Sequence, residues 1–148
     1  MTETTGITFT EDELDTLVSI AIRRAEMLDD MRSPAANDAW HEVMAYEERI
    51  AMITAAGEIT GGVARVGAVR AALAAGQRLE ASRLASQYLA EETLPAERRI
   101  AIKQVFHKDQ ERLAQRFPAL AKSGRLAELD EWRASTSTQA QVFPLAAA

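Results

Sequence analysis

Three charged residues fall where the helical phase of this chain otherwise places apolar side chains: Glu47, Arg70 and Asp109. Two carboxylates beside an arginine could hold a metal ion or move a proton. A carboxylate-bridged di-metal bundle would need Glu-x-x-His on two helices. The chain has no such motif, and neither of its two histidines, His41 and His107, stands at a ligand spacing from a second ligand on its apolar stripe. The set therefore reads as an ion pair inside a bundle, with Arg70 reaching Glu47 or Asp109. A buried charge without a partner would cost several kcal/mol.

Other chemistry finds less support. There is no cysteine, which excludes disulfides, thiolate metal sites and a thiol nucleophile. The hydroxyls cluster in 135–138, with no histidine near in sequence. Gly61-Gly62 lacks the Lys-Ser/Thr that follows a phosphate-binding loop. No catalytic residue, metal or cofactor is expected. The first ten residues have neither the basic nor the apolar region of a secretory signal. No apolar run approaches the ~20 residues that span a bilayer. A cytoplasmic protein with no membrane partner is the expectation.

The charge is uneven. Residues 1–62 carry 4 basic and 13 acidic side chains, and the remainder carries 13 basic and 9 acidic, for a net charge of −5. Two halves with complementary fields could pack on each other, or the basic half could face an acidic partner. Across the boundary between the halves, Gly57-Glu58-Ile59-Thr60, Ala64-Arg65-Val66-Gly67 and Arg70 resemble a helix-turn-helix. That resemblance implies nucleic-acid binding, with Arg65, Arg70, Arg78 and Arg83 on phosphates. The competing reading makes Gly67 a close-packing residue inside one continuous helix.

The elements that must position these residues are helical throughout. Hydrophobic residues make up 47% of the 148 but aromatics only 5%, so alanine and leucine must form most of the core. Thr10 and Glu13 form a capping box that opens the first helix. Its main stripe is Leu14, Leu17, Val18, Ala21, Ala25 and Leu28. Ile20, Met27 and Met31 make a second ridge, and so broad an apolar girth needs a second neighbour or a partner chain. A second helix starts at Ser33-Pro34 or Asn37-Asp38 and ends at Gly57. One long alanine-rich helix, about 61–93, then forms the centre, its phase carried through Gly76. It would be roughly 45 Å long at 1.5 Å per residue. Pro95 opens the next helix, Phe117-Pro118 ends it, and a last one spans about 125–134. The expected fold is an all-α bundle of five or six helices in one domain, 11–134, between a flexible N-terminus, 1–10, and a disordered tail, 135–148. The expected function is non-catalytic: a small subunit of a complex or a self-associating module, with Ile20, Met27 and Met31 facing the partner.

Overall fold

A computed structural model describes residues 8–128. Among these residues the chain is all-α, with helices α1 (Glu11–Asp30), α2 (Ala36–Ile53), α3 (Ile59–Ala74), α4 (Arg78–Leu89), α5 (Ala96–Arg116) and the short α6 (Pro118–Lys122). A further helical turn begins at Leu126. The expected tail, 135–148, and the end of the last helix lie outside the described residues.

Local chemistry explains most of the boundaries. The Thr10 side chain accepts from the Glu13 amide at 3.1 Å, and the Glu13 carboxylate accepts from the Thr10 amide at 3.0 Å. Two orphan donors of α1 are thereby satisfied. These bonds hold the Glu13 carboxyl below its ordinary value, the backbone bond most of all. Pro118 cannot continue the α5 hydrogen-bond ladder, so α5 stops at Arg116 and Pro118 starts α6.

The expected single helix over 61–93 is not formed. It breaks after Ala74, and α4 starts at Arg78. Gly76 is the cause. It sits at φ +76°, where a side chain would be strained. Its amide donates to the Leu73 carbonyl at 3.0 Å, and the Gln77 amide donates to that of Ala72 at 2.9 Å. This pair of bonds is the Schellman closure of a helix C-terminus. The apolar set beyond the break, Ala81, Leu84, Ala85 and Tyr88, is nevertheless buried.

The bundle is organised around α3, which packs on α2, α4 and α5. Its buried residues include Ala64, Val66, Ala68, Val69, Ala71, Ala72 and Leu73, spread over most of its circumference. Only the strip through Ile59, Val63 and Arg70 is exposed. The small residues permit close approach. A Cβ at Gly61 would stand 1.9 Å from the Ala55 carbonyl oxygen. Helix α1 packs chiefly on α2, through Leu14, Val18, Ala21 and Ala25.

Candidate functional site: the outer face of α1

The expected core ion pair is not formed. Arg70 is exposed and makes no ion pair among the described residues. The reason lies in α3. Because alanines bury nearly all of its girth, only the narrow strip marked by Ile59 and Val63 stays open, and Arg70 lies on that strip. Asp109 pairs instead with Arg78, at 3.0 Å, and with Arg112, at 2.9 Å. Glu47 is buried and packs against Gly67, where a Cβ would stand 2.7 Å from its carboxyl carbon. Burial pushes its carboxyl up to about 7; Arg70 opposes the shift and Asp15 adds to it.

The arginine that the core does hold is Arg65. Its Nε and Nη2 donate to the Glu91 carboxylate at 2.6 and 2.9 Å. Nη1 donates to the Gly61 carbonyl at 2.9 Å and Nη2 also to that of Thr54 at 3.2 Å. The guanidinium lies 5.6 Å from the centre of the Tyr88 ring. Beside it, Arg99 donates to the carbonyls of Leu89, Glu91 and Leu94. The two arginines thus join the end of α2, the start of α3, the end of α4 and the start of α5. Arg65 and Glu91 are 26 residues apart, beyond any local spacing rule.

These positions dismantle the helix-turn-helix. Gly67 lies inside α3 and forms no turn. Arg65 is buried, Arg78 is paired with Asp109, and Arg83 is paired with Glu80 and Glu48. The four arginines do not make one phosphate-facing surface.

The outer face of α1 is different. Ile20, Met27 and Met31 are 57%, 58% and 68% exposed. They lie on one line of the helix, roughly 120° or more around from the stripe packed on α2. With Arg24 between them, the line reads Ile20, Arg24, Met27, Met31. The spacings are four, three and four residues, the alternation of a coiled-coil seam. Arg24 bends away to Glu42 at 3.2 Å. Arg23 and Asp30 flank the seam on the side away from the core. Both are exposed and neither has an ion pair among the described residues.

No helix of the described residues is long and apolar enough to cross a membrane. Comparison with family models, curated proteins and solved structures finds no match to this chain.

Proposed function

We propose that this protein is a non-catalytic, cytoplasmic helical module that assembles through the outer face of α1, and that the partner is a second copy of the chain. The observation that carries the proposal is the exposed line of Ile20, Met27 and Met31 on a helix whose opposite face is already packed. Covering each large apolar side chain contributes on the order of 1.5–3 kcal/mol when burial is complete.

The charges favour an antiparallel pair. In a parallel coiled coil, Arg24 would oppose Arg24 of the partner subunit, and the flanking Arg23 would face Leu28 of the partner subunit. In the antiparallel arrangement, centred between Arg24 and Met27, Ile20 meets Met31 of the partner subunit. Arg24 then meets Met27 of the partner subunit, and Arg23 falls beside Asp30 of the partner subunit, twice by symmetry. The two charges, which have no ion partner among the described residues of one chain, become partners in the pair.

The seam from Ile20 to Met31 is only about 16 Å long at 1.5 Å per residue. That is less than a standard interface of about 800 Å² per partner needs. Association should therefore be reversible and concentration-dependent. Sedimentation over a concentration series tests it. Arg23→Glu should weaken the dimer, and Arg23→Glu with Asp30→Lys should restore it. A chain that stays monomeric at every concentration and captures no partner would refute the assembly reading. A dimer indifferent to the charge swap would refute the antiparallel register alone.

A further inference from the structure

Between α3 and α5 the surface opens into a pocket of about 250 Å³. Its apolar wall is Leu73, Ala101 and Val105, and Arg70, Lys108 and Arg112 also line it. Three cations meet there in a chain whose net charge is −5. The one carboxylate in the lining, Asp109, offsets only part of this charge. Asp109 Oδ2 accepts from Arg78 and Oδ1 from Arg112, so both oxygens are engaged. Arg70 and Lys108 have no ion partner among the described residues. Arg112 uses only Nη2 on Asp109, which leaves the rest of its fork for another acceptor.

We propose that this pocket binds a small amphipathic anion. Its carboxylate would be held by Arg70, Lys108 and Arg112, and a short hydrocarbon body would lie on Leu73, Ala101 and Val105. The reasoning is that of small-ligand sites in general: an apolar wall takes the body, and a few convergent polar groups fix the head. A volume of about 250 Å³ lies just below the ~300 Å³ at which small-ligand sites usually begin. That suits a chain of six to eight carbons rather than a long lipid tail or a nucleotide. The site is independent of α1 and of assembly.

The test is a titration of the full-length chain with octanoate, followed by amide chemical shifts. Acetate, inorganic phosphate and octylammonium serve as matched probes lacking the body, lacking the body, and reversing the charge. The expected result is saturable octanoate binding with shifts concentrated in 70–74 and 101–112, and at least tenfold weaker binding of all three other probes. Arg70→Met with Lys108→Met should weaken octanoate binding at least tenfold while the rest of the spectrum stays in place, because neither side chain holds the fold together. Equal binding of acetate or phosphate would reduce the site to a bare anion patch and overturn the proposal. So would equal binding of octylammonium, unchanged affinity in the double variant, or shifts that gather on 20–31 instead.

Discussion

The Arg65 junction and the outer face of α1 handle surface chemistry in opposite ways. Around Arg65 the chain closes on itself: a buried cation finds a carboxylate and two backbone carbonyls, and four helix ends meet there. On α1 the chain stays open: three large apolar side chains meet water, and an arginine and an aspartate stand without ion partners among the described residues. The sequence can therefore satisfy a demanding polar group from its own residues. That it leaves an apolar seam uncovered elsewhere is why we assign the seam to a partner chain. Single exposed apolar side chains need no explanation, but an ordered line of them does.

The contrast can be broken most forcefully at the junction. Arg65→Met should destabilise the fold by about 3–5 kcal/mol, as removal of one member of a buried pair does. It leaves the carbonyls of Thr54 and Gly61 without their donor, and Glu91→Gln alongside should recover only part of the loss. Chemical denaturation reads both. A loss under about 1 kcal/mol would mean that the junction is no more than a surface pair.

Glu47 sharpens the comparison, because it is buried like Arg65 but makes no ion pair among the described residues. Its carboxyl rests at about 7 in the fold against an ordinary 4.5. The folded state thus holds the proton more tightly than the unfolded chain. Its contribution is fully favourable below pH 4.5 and is lost as pH rises through about 7. The loss should reach about 3 kcal/mol by pH 8, at 1.36 kcal/mol per pKa unit. Glu47→Gln should remove that part of the pH dependence and raise stability at pH 8. A pH profile unchanged by the substitution would place Glu47 in contact with water.

Gly61 tests the close approach that surrounds the junction. Gly61→Ala drives a Cβ into the Ala55 backbone, and overpacking of this kind costs about 1–3 kcal/mol. Gly67→Ala should cost less. There the new methyl meets the end of the Glu47 side chain, which can move, and alanine returns about 1 kcal/mol of helix propensity. Thermal melts of the two variants should separate in that order.

Several of these features were legible in the sequence. The all-α class, the capping box at Thr10 and Glu13, and the stop at Pro118 rest on local rules, and the structure contains each. The second ridge on α1 was legible for the same reason: one helix and its spacing define it. The break at Gly76 carried its signal too, a glycine that closes a helix, but an apolar pattern continuing in phase concealed it. Arg70 was misplaced because alanine marks the buried sides of α3 only weakly, so the exposed Val63 drew the stripe toward solvent. Arg65 was missed altogether. Its partners come from the ends of other helices, and only the assembled bundle brings them together.

The smallest expected effect on stability accompanies the most direct test of the central claim. Ile20→Ser, Met27→Ser and Met31→Ser together should leave the melting temperature almost unchanged, because surface substitutions of exposed residues usually fall within about ±0.5 kcal/mol each. The same triple variant, followed by light scattering beside the parent chain over a concentration series, decides whether α1 is an interface. The account predicts a parent whose mass rises toward twice the monomer as concentration increases, and a variant that remains monomeric. A parent and variant with the same mass at every concentration would contradict it.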